Sequence, residues 1–142
     1  ECFPNAEMVV QEAEMNSAIH PLKMGRKSYG FMPESGGPNW LRAIMQFHPV
    51  KGDTEIRPGI RVIQTPGHTT GSQGVLVDTA EGTYLLAGDW IMNQMNLELE
   101  LPTGSTPDVA AWYETFEKVK KLSLAGVLAC HDPKTYTREY YG

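Results

Sequence analysis

An α/β fold is what this sequence predicts, on three observations. Apolar runs of strand length alternate with segments of helical period. Gly and Pro punctuate the boundaries between them. Polar, chemistry-bearing side chains stand where strands stop, which is where α/β folds gather their sites.

The elements follow in order. MVVQ, Met8–Gln11, reads as a short strand running into a helix that ends near Ile19. Residues 20–38 hold four glycines and three prolines without a period, which predicts a long loop of functional or mobile character. WLRAIMQF, Trp40–Phe47, reads as one short helix over a pocket, with Trp40, Met45 and Phe47 as its wall. Residues 48–59 are turn-rich, with His48 in a loop and a brief strand before Gly59. Three strands come next: Ile60–Thr65, Gly74–Thr79 and Thr83–Asp89. Ala-Glu-Gly joins the last two as a hairpin loop, glycine supplying a positive φ. Their continuously apolar runs predict strands covered on both faces. In STPDVAAWYETFEKVKKLSLAG, Ser105 or Thr106 is the expected N-cap, Pro107 suits the first turn and Asp108 complements the dipole. Val109, Trp112, Phe116, Val119 and Leu122 share one helical face, and Gly126 is the expected stop. GVLAC closes the series as a last buried strand.

Bulk composition narrows the function. The 142 residues suit one domain with a real core, and 41% hydrophobic with 20% charged residues is an ordinary globular balance. No apolar run approaches the ~18 residues of a membrane span. The net charge of −5, with Lys and Arg scattered apart from KVKK, argues against nucleic acid as the main partner. Cys2 and Cys130 are too few for a disulfide scaffold and read as free thiols of a reducing, cytoplasmic compartment. The opening ECFPNAEM has neither an initiator Met nor a targeting segment, so a portion lying upstream is expected.

Chemistry concentrates at three strand ends. His68 follows IRVIQT, Asp89 ends TYLLAGD and His131 follows GVLAC. Imidazole nitrogen and carboxylate oxygen suit zinc, and also iron or manganese. Pro66-Gly67 and Gly71 would let the backbone turn so that His68 points back over the strand ends. Singly each residue has a plain structural reading; together, in one small domain, they form a candidate metal site. His20 and His48, each before a proline, read as loop residues.

Here the sequence resembles the metallo-β-lactamase superfamily of metal-dependent hydrolases. TPGHTTGS looks like its third-ligand loop, LLAGD like the strand ending in the bridging aspartate, and CHDP like the segment with the final histidine. PGIRVIQTPGHTTGSQGVLVDTAEGTYLLAGD with HDPKTYTREYY is most similar to the N-acyl homoserine lactonase branch. The resemblance covers essentially the whole chain and is strongest from Gly59 to Asp89.

It implies the superfamily's αβ/βα sandwich, present as its carboxyl-terminal portion: a single domain, 1–142, without the amino-terminal part that would carry His-x-His-x-Asp-His. It implies two zinc ions, iron or manganese being alternatives, with His68 on one, His131 on the other and Asp89 bridging them as ligand and catalytic carboxylate. Such ions sit about 3.5–4 Å apart and bring a water's pKa toward ~7, giving metal-bound hydroxide for attack on a lactone or ester, a quorum-quenching reaction. With only these three ligands, the chain alone is expected to bind metal weakly and turn over little. Met92 stands where lactonases often carry a tyrosine, and Cys130 where relatives commonly have glycine. Cys130 reads as a small core residue, with a soft extra ligand as the alternative. Met24, Met32, Met45, Met92 and Met95 read as packing, with an acyl-chain pocket as the alternative. Two other functions stay open: a non-catalytic binding module, self-assembling as a homodimer through an exposed sheet edge, and a thioester or phosphodiester hydrolase.

Overall fold

A computed structural model describes residues 3–23, 25–32, 34 and 36–141, and the chain divides into two units, Glu1–Lys51 and Gly52–Gly142. Cys2 and Met24 lie outside the described residues.

In the first unit, β1 (Met8–Gln11) runs directly into α1 (Glu12–Ile19), as the sequence predicts. β1 pairs in parallel with β2 (Phe47–Val50), Met8 opposite Phe47 and Gln11 opposite Val50. A parallel pair needs a long crossover, which residues 12–46 supply. Within it, the described residues of 20–38 form the expected loop, tied down where Tyr29 Oη donates to Glu14 Oε1 at 2.9 Å. Burial, reinforced by the Glu14 carboxylate, pushes that phenol up to about 12.

Three expectations are corrected here. The single short helix expected over Trp40–Phe47 is a 3₁₀ segment, Asn39–Gln46, broken by non-helical Ala43, and Phe47 belongs to the next strand. β2 is a strand where a turn-rich segment is predicted, because Pro49 argues against a strand on sequence alone; His48 accordingly lies in it. Trp40 packs edge-on against Phe47, ring centroids 6.4 Å apart, but Met45 is 93% exposed and walls nothing.

The second unit carries the five-stranded sheet. Its order is β3 (Thr54–Arg57), β4 (Ile60–Gln64), β5 (Gln73–Thr79), β6 (Gly82–Leu86), β7 (Gly126–Leu128). The first three junctions are antiparallel and β6–β7 is parallel. The crossover between β6 and β7 holds α2 (Gln94–Glu98) and α3 (Val109–Lys120). Ile63, Leu76 and Leu85 from the sheet form one core with Trp112, Phe116 and Val119 of α3 and with Ala87, Trp90, Ile91 and Ala129 at the strand ends. Each large side chain so buried stabilises by roughly 1.5–3 kcal/mol. Trp112 stacks on Phe116 at 5.1 Å, and its indole N–H donates to Trp90 O at 2.9 Å.

The expected coverage of both sheet faces holds only in part: Ile63, Leu76 and Leu85 are buried on one face and Val62 and Tyr84 on the other. On that second face Ile60 and Leu86 are exposed, as a mostly antiparallel sheet allows. α3 starts one residue after Asp108, which is its N-cap: the carboxylate accepts from Ala111 N–H at 3.0 Å. Val109, expected on the buried face, is exposed, while Thr115 is buried. The helix stops at Lys120, not Gly126. Gly126 lies in β7, where a Cβ would come within 2.9 Å of Tyr84 Cε1.

Candidate metal centre

The loop after β4 is closed by Thr65 N–H donating to Ser72 O at 2.8 Å. Gly67 has φ +137°, and a Cβ there would lie 2.8 Å from Trp112 Cβ. Glycine is required twice over: for the backbone conformation and for close approach to α3. Asp108 N–H donates to Gly67 O at 3.2 Å and Thr115 Oγ1 donates to Pro66 O at 3.0 Å, fixing the loop to the start of the helix.

His68 leaves this loop with Nδ1 2.8 Å from Ser105 O. A carbonyl oxygen only accepts, so Nδ1 carries the proton and donates. Nε2 faces Asp89 Oδ2 at 3.6 Å. This is the arrangement that presents an imidazole nitrogen to a metal: a carbonyl fixes the tautomer and the free nitrogen points into the site.

Asp89 sits in the 3₁₀ turn Gly88–Trp90 just beyond β6. Gly88 takes φ +57°, and a Cβ there would meet Gln73 O at 3.3 Å. Trp90, wholly buried, anchors the turn while the Asp89 side chain stays half-exposed. Ala87 N–H donates to Leu128 O, Cys130 N–H to Ile91 O and His131 N–H to Met92 O. These bonds carry the pairing past the strand ends and hold residues 130 and 131 beside the Asp89 turn.

His131 Nε2 lies 3.2 Å from Asp89 Oδ1, and the Cys130 thiol donates to the same oxygen at 3.1 Å. Burial pushes that thiol up to about 12, the Asp89 hydrogen bond and charge adding to it. Just beyond, the Asp132 carboxylate accepts from Gln94 N–H at 2.7 Å and Lys134 N–H at 2.9 Å, which hold it below the usual carboxylate range. That pair of bonds pins the backbone next to His131.

The three strand-end residues therefore converge. Asp89 offers one oxygen to each imidazole, Oδ2 toward His68 and Oδ1 toward His131. Among the described residues, donor atoms of Asp89, Cys130 and His131 all lie within 4.8 Å of one another. Two imidazole nitrogens, both oxygens of a carboxylate and a sulfur form a donor set that suits a divalent metal. A cation also answers an electrostatic need, since the His68 lone pair and an Asp89 oxygen are otherwise two acceptors facing each other. His20 and His48 belong to the first unit, at the end of α1 and in β2. Sequence reasoning missed the Ser105 carbonyl, since its residue looked like a helix cap, and ranked Cys130 as core packing although it directly precedes His131.

The chain matches the Metallo-beta-lactamase superfamily over residues 5–131. A curated N-acyl homoserine lactonase from Bacillus sp is 34% identical over 101 residues, which cover 70% of this chain and 36% of that protein. Among solved structures, a B. thuringiensis AiiA variant with N-decanoyl-L-homoserine bound at its active site superposes with a TM-score of 0.68 at 25% identity. That match covers 94% of this chain and 50% of the other. An N-acyl homoserine lactone hydrolase with N-hexanoyl-L-homoserine at its catalytic metal centre gives 0.66 at 25% identity, over 94% and 50% of the two chains. The chain thus spans about half the length of the solved structures and little more than a third of the curated relative.

Proposed function

This chain belongs to the metallo-beta-lactamase superfamily, and from that premise we propose that it forms part of a metal-dependent hydrolase acting on a lactone or ester. The observation that carries the reading is Asp89 with one carboxylate oxygen turned to each of two histidines, at 3.6 and 3.2 Å. His68, Asp89 and His131 are the residues that would hold the metal. Zinc is the first candidate, with iron and manganese the alternatives that the ligand types allow. A bound divalent ion supplies acidified water and polarises a carbonyl. The chain's own residues do the rest: Ser105 O sets the His68 tautomer, Asp132 fixes the backbone beside His131, and Asp89, half-open to solvent, stands as the carboxylate that takes a proton next to the reacting centre.

The family match runs through both units, which supports reading them as one domain. Relatives named as N-acyl homoserine lactonases favour an acylated lactone as substrate, and hence a quorum-quenching role, over a thioester or phosphodiester. No helix among the described residues is long and apolar enough to cross a membrane; the sparse cysteines support a reducing, cytoplasmic location. A homodimer by edge pairing has less support, because the edge strands β3 and β7 have four and three residues and β3 is irregular at Glu55–Arg57.

Metal analysis after dialysis tests the site. Retention of less than one ion per chain is expected, with binding of added zinc abolished by Asp89→Ala. Two tightly held ions would show that the site is complete within this chain; zinc uptake unchanged by Asp89→Ala would remove the site altogether. Lactone, thioester and phosphodiester substrates offered to the full-length protein separate the reaction classes, hydrolysis confined to the lactone being the expected result.

A further inference from the structure

We propose that Cys130 is a metal ligand in this centre, so that the chain contributes a sulfur donor alongside His68, Asp89 and His131. The inference rests on the metal-binding reading above and goes beyond it in naming a fourth donor and the metals it selects.

Geometry carries the argument. With Zn–O and Zn–N near 2.0–2.2 Å and Zn–S near 2.3 Å, neighbouring donors of a tetrahedral site sit about 3.3–3.6 Å apart. Cys130 Sγ and His131 Nε2 lie 3.1 and 3.2 Å from the same oxygen, Asp89 Oδ1. Both distances from Oδ1 are thus within about half an ångström of the spacing that one ion imposes, and all three donors lie within 4.8 Å of one another. Apolar packing does not account for the sulfur's position. Cys130 is only part-buried and lies outside the apolar core, which takes Ala129 instead. Its backbone is held on both sides, N–H by Ile91 O and carbonyl by Tyr136 Oη at 3.3 Å each, so Sγ stays beside the carboxylate. On binding, the S–H proton leaves to solvent and an S–metal bond takes its place. A thiolate turns an otherwise nitrogen and oxygen site toward soft and borderline ions, favouring zinc, cobalt and cadmium over manganese and magnesium.

Cobalt(II) reads sulfur directly. The chain carrying Cys2→Ser, with Cys130 as its remaining thiol, is titrated with Co(II). A thiolate-to-cobalt charge-transfer band in the near ultraviolet is expected, rising with the visible ligand-field bands and lost in the further Cys130→Ser variant. A second measurement needs no change at Cys130: X-ray absorption at the zinc edge of the zinc-loaded chain should show one sulfur neighbour near 2.3 Å among nitrogen and oxygen neighbours at about 2.0–2.2 Å. Ligand-field bands without charge transfer, or a zinc shell of nitrogen and oxygen alone, would overturn the inference while leaving the metal centre standing. The absence of any cobalt spectrum would overturn both.

Discussion

Gly67 and Thr65 show how much single residues near the centre decide. At Gly67 an alanine meets a positive φ and a Cβ–Cβ distance of 2.8 Å to Trp112, so Gly67→Ala should cost at least about 2 kcal/mol, read as a drop in thermal midpoint. A midpoint unchanged within a degree would mean that the loop does not approach α3 so closely. Thr65 is the opposite case. It is fully buried, yet its hydroxyl has no hydrogen-bond partner among the described residues. Thr65→Val keeps the shape and removes an unsatisfied group, so it should be neutral or stabilising by up to about 1 kcal/mol; a clear loss would reveal an acceptor for that hydroxyl. The two positions also mark the limits of reading residues from sequence. A histidine framed by Pro-Gly and a second glycine is a visible signal, and it led to His68. That Gly67 is required by a helix more than 40 positions on is a tertiary fact, and no local pattern carries it. The same holds for Ser105, whose carbonyl serves the histidine, and for Cys130, whose sulfur acquires meaning only beside Asp89.

Elements were legible in proportion to their length and regularity. β4, β5, β6 and α3 have strong apolar patterns; the strands and the start of α3 fall within a few residues of expectation, while α3 ends well before Gly126. α2 has five residues, too few for a period to show, and β2 contains a proline that speaks against a strand. The helix cap was misread for a chemical reason. Ser105 and Thr106 are both good caps by type, but Ser105 O is taken by His68 and Thr106 Oγ1 pairs with Thr103 Oγ1 at 2.9 Å. The start therefore passes to Asp108, whose carboxylate accepts from Ala111 N–H. Asp108→Ala should destabilise by about 1 kcal/mol, whereas Asp108→Asn should recover most of it, since amide and carboxylate both cap. Equal losses from the two variants would assign the effect to charge rather than to the cap.

Across the second unit, strand order could not be read from apolar runs, because the parallel partner of β6 arrives only after two helices. The chain's last residues then fasten onto the β5–β6 hairpin far from them in sequence. Arg138 Nη2 donates to both Glu81 oxygens, at 2.8 and 3.0 Å, and Tyr84 Oη donates to Glu81 Oε2 at 2.9 Å. Tyr141 packs edge-on against Tyr84 at 5.2 Å, with the Arg138 guanidinium over its ring. Arg138 first, then the Tyr84 hydroxyl, hold the Glu81 carboxyl below the usual glutamate range. A carboxyl with a depressed folded pKa contributes stability that is fully present above its unfolded pKa and is lost as pH falls through the folded value. Protonating Glu81 leaves Arg138 without its anion, so the thermal midpoint should decline between about pH 5 and pH 3. Glu81→Gln keeps the shape and removes the titration. It should therefore lie below the parent at neutral pH, fall less steeply on acidification and converge with it near the acid end. The pair is exposed, so salt should narrow the gap at neutral pH. Two midpoint curves that stay parallel from neutral to acid pH would show that this tail contact carries none of the unit's acid sensitivity.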